Sequence, residues 1–111
     1  MQSNDNLGFT LKNKDEKGLY TLPGAIAHCE KLGDGWRLPT VDECDAIRGE
    51  DKGKKAGLKH DDNMYITSSL TPFDDMPLSY DFKFGKSYLT TETIKHNLRL
   101  VKDYPENSEG E

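Results

Sequence analysis

A chain of 111 residues with 33% hydrophobic and 32% charged residues has room for one domain around one small core. Its net charge of -5 is spread evenly, 6 basic against 9 acidic residues in 1–50 and 9 against 11 in 51–111, which excludes broad binding to a phosphate backbone. No apolar run approaches the ~18 residues of a spanning helix, so no membrane insertion is expected.

The start, Met1 to Asn6, is polar and lacks the basic and apolar blocks of a signal peptide. The expected location is therefore cytoplasmic or virion-associated if Met1 is native, and secreted or cell-surface if the chain is trimmed from a longer one. Phe9 and Leu11 alternate with polar neighbours and predict a short strand. Asn13 to Gly18 reads as a charged turn, after which Leu19 and Tyr20 continue a hairpin. Thr21 to Leu32 predicts a first helix, capped by Thr21, with Pro23 in the first turn where a missing amide costs nothing. Leu22, Ala25, Ile26, Cys29 and Leu32 then fall on one face, and Gly33-Asp34-Gly35 ends the helix.

Trp36-Arg37-Leu38-Pro39-Thr40-Val41-Asp42-Glu43-Cys44 compresses a strand, a break and a helix start into nine residues. Pro39 lacks a backbone donor and pushes Leu38 toward extended dihedrals. Thr40 and Glu43 have the spacing of a capping box. The second helix starts there and is expected to bury Val41, Cys44 and Ile47. Trp36 is expected inward, wedged where both helices meet the sheet, with Arg37 turned outward to pair with Glu43 or Asp42. Cys29 and Cys44 lack CxxC spacing and read as buried thiols or as a bridge pinning the two helices.

Residues 50–63 are heavily charged, with Leu58 the one clear anchor. Gly49 to Lys55 superficially suggests a phosphate loop, but it is one residue short, lacks Ser or Thr and follows a helix. Met64 to Ser69 predicts a buried strand, 71–77 a loop, and Tyr80, Phe82 and Phe84 a half-buried strand turned by Gly85. Signals over 86–95 conflict between loop and strand. Residues 97–102 predict a last strand. The expected organisation is a single domain over 1–102 followed by an acidic disordered tail, 103–111. Helices early and antiparallel strands late indicate an α+β fold.

Three blocks resemble one bacterial and phage family: Ala27-His28-Cys29, Gly35-Trp36-Arg37-Leu38-Pro39-Thr40 with Glu43, and Tyr65-Ile66-Thr67-Ser68-Ser69. Tyr80 to Gly85 and Leu98 to Lys102 extend the likeness. The family is the Lcl C-terminal-like domain, related to formylglycine-generating enzymes and phage tropism determinants, and the likeness covers roughly 19–102. Cys44 stands where the family usually carries Leu, and Ile66 where it carries Trp. The resemblance implies a C-type-lectin-like fold, with two short helices packed on a curled antiparallel sheet bearing long loops. It implies binding rather than catalysis: adhesion, glycan contact or display of a variable surface. The enzymatic relatives use a late cysteine pair, absent here, so no activity or catalytic residue carries over.

Other constellations reduce to structure. His28 and Cys29 point about 100° apart on a helix, so no dyad forms and His28 reads as solvated. The histidines and cysteines have no metal-ligand spacing, so no metal site is expected. Loops of this fold can hold Ca²⁺, and Asp61-Asp62-Asn63 and Asp74-Asp75 are the places for it, though they read first as solvated charge; no cofactor is expected. The hydroxyls of Thr67-Ser68-Ser69 lack a base and read as strand hydrogen bonding. Recognition is left to the loops, with Phe73, Asp74, Asp75, Met76 and Tyr88 as candidate binding residues beside Leu78. Trp36, Pro39, Thr40, Glu43, Cys29 and Cys44 read as structural. The expected function is a non-enzymatic module recognising a protein or glycan. The alternative is a small acidic intracellular phage-type inhibitor that blocks a host enzyme.

Overall fold

The computed structural model describes residues 8–50 and 56–103. In chain order these form β1 (Phe9–Leu11), α1 (Leu22–Leu32), α2 (Val41–Glu50), β2 (Tyr65–Leu70), β3 (Pro77–Asp81), β4 (Lys86–Leu89) and β5 (Val101–Asp103). The fold is α+β, with two helices and antiparallel sheets. The single curled sheet expected from the sequence is instead two sheets: β1 paired with β5, and a meander ordered β2-β3-β4.

What joins the sheets is the irregular segment 96–101, buried throughout. It takes a different partner at almost every residue. His96 exchanges backbone bonds with Tyr20, Asn97 bonds Met64 and Ile66, Leu98 and Leu100 accept from Glu16 and Lys12, and Val101 exchanges bonds with Arg37. No partner stays alongside long enough for a ladder, so of the strand expected over 97–102 only Val101 and Lys102 join one, in β5. Asp103, expected to begin the tail, belongs to β5; residues 104–111, the rest of that expected tail, lie outside the described residues.

α1 begins as its sequence requires. Thr21 is extended (φ -78°, ψ 167°), and its Oγ1 accepts from the Gly24 amide at 3.1 Å. Gly33 ends the helix at φ +68°, donating its amide to Cys29. The apolar face is narrower than expected: Ala25 is fully buried and Leu22 and Cys29 half-buried, but Ile26 and Leu32 are exposed. The helix packs against Leu38, Ile66, Leu98 and Leu100, a narrow strip of chain rather than a broad sheet. α2 starts with the full capping box. Thr40 Oγ1 accepts from the Glu43 amide at 3.0 Å, and Glu43 Oε1 accepts from the Thr40 amide at 2.9 Å. Pro39 is buried just before this junction, and Ser69 Oγ accepts from the Val41 amide at 2.9 Å.

Each helix therefore has its own cluster. Cys44 and Ile47 of α2 pack with Phe9, Leu11, Tyr65, Tyr80, Phe82 and Val101, while α1 closes the cluster around Leu98 and Leu100. Successive strand residues face opposite ways, so Tyr65 feeds the first cluster and Ile66 the second. β2 is the wall between them. Cys44 lies buried on one side and Cys29 half-buried on the other, both as free thiols, so the bridge between helices does not form.

The strand expected through Tyr80, Phe82 and Phe84 stops at Asp81, because Phe82 to Gly85 make the turn into β4. Phe82 still returns to the core, edge-on to Tyr65 and Tyr80 at 5.1 and 4.7 Å. Phe84 points out, with Lys83 Nζ 5.3 Å from its ring centre. Gly85 has φ +70°, and a Cβ there would meet Arg48 Nη1 at 2.7 Å. That guanidinium donates to Phe82 O and Lys83 O, tying α2 to the turn.

Candidate functional site

The sequence candidates divide between two places. Phe73, Asp74, Asp75 and Met76 share the tight β2–β3 turn, and Tyr88 lies on β4 opposite Ser79. Thr71 organises the turn: its amide donates to Met76 O at 2.9 Å, and its Oγ1 accepts from the Met76 amide at 3.0 Å. Its carbonyl accepts from the Asp75 amide at 3.3 Å, and Asp75 takes φ +54°, a conformation Asp adopts more readily than most residues. Phe73 stands at the tip, 94% exposed.

Two apolar residues that sequence reasoning did not single out surround that tip. Leu70 ends β2 opposite Pro77, and Leu89 ends β4 opposite the half-buried Leu78. They are 48% and 66% exposed. With Phe73 and Met76 they are the exposed apolar residues at this end of the three-stranded sheet, Leu70 on the face of Pro77 and Leu89 on the face of Leu78, beside the exposed Asp74 and Asp75. The signal was present in the sequence, as a Leu at each junction of strand and turn, but Leu70 fell between the expected strand and loop, and Leu89 fell in a stretch whose signals conflict.

Elsewhere the polar groups are engaged with one another. Trp36 is not the wedge expected: it is half-buried at the margin of the α1 cluster, under Lys102 Nζ at 4.5 Å and Lys12 Nζ at 5.4 Å. A strand-like path at Arg37, bonded to Val101, leaves the indole flat against the surface with lysines as its cover. Arg37 donates both ends of its fork to Glu43, at 2.8 and 2.7 Å, and one nitrogen also to Asp103 at 2.8 Å. The Glu43 hydrogen bond raises the Arg37 pKa, and Arg37 in return holds the Glu43 carboxyl below its usual range.

His28, expected in solvent, is half-buried, with Nε2 donating to Glu16 at 2.8 Å and its ring 5.1 Å from Tyr20. Burial pushes the Glu16 carboxyl up, but hydrogen bonds from Lys12 and His28 outweigh it and lower the pKa. Burial, then the Glu16 charge, raises the Cys29 thiol, the reverse of what a nucleophile needs. Burial pushes the Cys44 thiol up further.

The hydroxyls at 67–69 are structural: Thr67 donates to Leu78 O at 2.8 Å and Ser69 caps α2. Asp61 accepts from the Asn63 amide and from Asn97 Nδ2, so this acidic cluster braces the chain beside Asn97. Asp74 and Asp75 are exposed. Among the described residues no three His, Cys, Asp or Glu side chains are grouped to hold a metal ion, and no helix is long and apolar enough to cross a membrane.

The largest omission of sequence reasoning is a buried polar network. Arg99, with a side chain 4% exposed, donates to Asp15 Oδ1 at 2.7 Å, Lys12 O at 3.2 Å and Ala56 O at 2.7 Å. Asp15 Oδ2 also accepts from the Tyr65 hydroxyl at 2.6 Å, and that hydroxyl accepts from the Lys59 amide at 2.8 Å. His96 is buried too, donating from Nδ1 to Asn63 O at 2.5 Å and accepting at Nε2 from Thr90 at 2.7 Å. Among the described residues every buried side-chain nitrogen and oxygen has a partner. Comparison with family models and with curated proteins finds no match to the chain.

Proposed function

We propose that the chain is a non-enzymatic binding module with a C-type-lectin-like fold, taking a protein partner at the apolar end of β2-β3-β4. The fold reading rests on two helices that precede the larger antiparallel sheet and on the Trp36 to Glu43 junction, whose residues make the capping box and the Arg37 fork. One observation carries the function: Phe73 is almost wholly in solvent on a turn held by three bonds to Thr71. An aromatic side chain presented on a pre-ordered turn loses little freedom on docking, which is the behaviour of an interface anchor. The flanking Asp74 and Asp75 favour a partner with an apolar pocket rimmed by Lys or Arg. A protein offers that combination more readily than a glycan does.

The same pair of carboxylates favours the inhibitor reading, in which the partner is an enzyme whose basic cleft receives this turn. Burying Phe73 contributes about 1.5–3 kcal/mol, so Phe73→Ser weakens a partner's affinity by about tenfold to a hundredfold. The test compares affinity capture by the wild-type chain and by Phe73→Ser, followed by titration of the protein retained. A partner held by the wild type and lost with the variant, at unchanged circular dichroism, supports the reading. Equal retention by both, or a glycan as the sole ligand on an array, refutes it. Inhibition of the retained protein's activity selects the inhibitor form.

A further inference from the structure

Among the described residues β4 is an open edge of the three-stranded sheet, and all four of its residues are exposed. Its register fixes which backbone groups are free. The Thr90 amide donates to Pro77 O, so the pair Pro77–Thr90 is a hydrogen-bonded one. Pairs alternate along an antiparallel ladder, so Tyr88 and Lys86 also turn their amides and carbonyls toward Ser79 and Asp81. The groups of Ser87 and Leu89 therefore point outward, two residues apart, along an edge with no proline or bulge.

We infer that this edge pairs with β4 of a second copy of the chain, antiparallel about a two-fold axis through Tyr88, to make one six-stranded sheet. The edge is self-complementary in three respects. Ser87 of each copy faces Leu89 of the other, so four outward donors and acceptors on each side exchange bonds. Tyr88 meets Tyr88 across the axis at a non-hydrogen-bonded position, where side chains come closest, and 40% exposure leaves both rings free to stack. Lys86 faces Thr90 of the other copy, so no like charges are opposed along the paired edge. An extended peptide of another protein meets the same backbone groups, but it does not bring this match of side chains. A dimer built this way carries two Phe73 turns at opposite ends of the joined sheet. The pairing itself does not depend on what those turns bind.

Light scattering and sedimentation of the full chain from about 10 μM to about 1 mM test the pairing. Hydrogen exchange at the same concentrations reports the edge. A monomer–dimer equilibrium is expected, with the Ser87 and Leu89 amides exchanging more slowly as the dimer forms. Tyr88→Glu places two carboxylates on the axis, and Ser87→Pro removes an outward donor without touching the β3 ladder. Each is expected to weaken the dimer by about tenfold or more. A wild-type chain that stays monomeric throughout, edge amides that exchange alike at both concentrations, or a dimer indifferent to both variants overturns the inference. Loss of partner capture by Phe73→Ser leaves all of these readouts unchanged.

Discussion

Replacing Arg99 by Met removes the charge at the centre of the buried network and keeps most of its volume. Three donated bonds disappear: one to the Asp15 carboxylate, and one each to the carbonyls of Lys12 and Ala56. Asp15, whose side chain is 12% exposed, is left as a nearly buried anion that keeps, among the described residues, the Tyr65 hydroxyl but no ion-pair partner. Stranding one half of a buried ion pair costs about 3–5 kcal/mol. That is a large share of the about 5–15 kcal/mol that holds a domain together. At a urea dependence of about 1–3 kcal/mol per molar, the unfolding midpoint falls by roughly 1–5 M. The double variant Asp15→Asn/Arg99→Met removes the stranded charge and recovers about 1–3 kcal/mol relative to the sum of the single variants. Urea unfolding followed by circular dichroism measures all four corners of this cycle. A cost below about 1 kcal/mol for Arg99→Met, or single effects that add within about 0.5 kcal/mol, refutes the view that the pair is a buried structural unit.

Thr40→Ala removes the acceptor for the Glu43 amide and is expected to cost about 1 kcal/mol, measured as a lower urea midpoint. The folded carboxyls of Glu43 and Glu16 have lowered pKa values, so the unfolded chain binds more protons in the carboxylate range. Their stabilisation is therefore complete above that range and is lost as the pH falls from about 5 to 3. Urea midpoints taken across this interval are expected to fall, and less so in Arg37→Gln, which removes the main cause of the Glu43 shift. Gly85→Ala forces a side chain onto φ +70° and against Arg48, at a cost of about 1–2 kcal/mol in thermal unfolding. In the native chain, Cys44 resists thiol reagents until unfolding, while Cys29, half in solvent, labels first.

The local chemistry of the helix ends was open to reading in sequence. Thr21, Gly33, Thr40 and Glu43 act through neighbours within four residues, and composition alone places such partners. Burial of Cys44 and Ile47 followed from spacing for the same reason. What spacing cannot show is a partner far along the chain. Arg99 and Asp15 are 84 residues apart, and neither charge announces that the other neutralises it. Trp36 failed differently, since a large aromatic beside a glycine turn looks like core until the lysines that cover it are seen. Phe82 shows that alternation can name the right buried residue on the wrong element, because a turn can fold a side chain back inward. At the candidate site, the exposed turn was legible from Pro, Asp and Thr. The leucines beside it were not, because their exposure depends on how far each helix reaches across the sheet.

The buried run from His96 to Val101 has a bearing on how the chain matures on a ribosome. Synthesis proceeds from the amino end, so α1, α2 and the β2-β3-β4 meander all emerge before their shared filling does. Until Leu98, Leu100 and Val101 clear the exit tunnel, the faces of Ala25, Leu38 and Ile66 have nothing to close on. Native closure therefore waits for contacts of long sequence separation, a slow step for a small domain. A stop codon before residue 96 would release a chain with both apolar clusters open, the kind of product that chaperones hold and proteases clear.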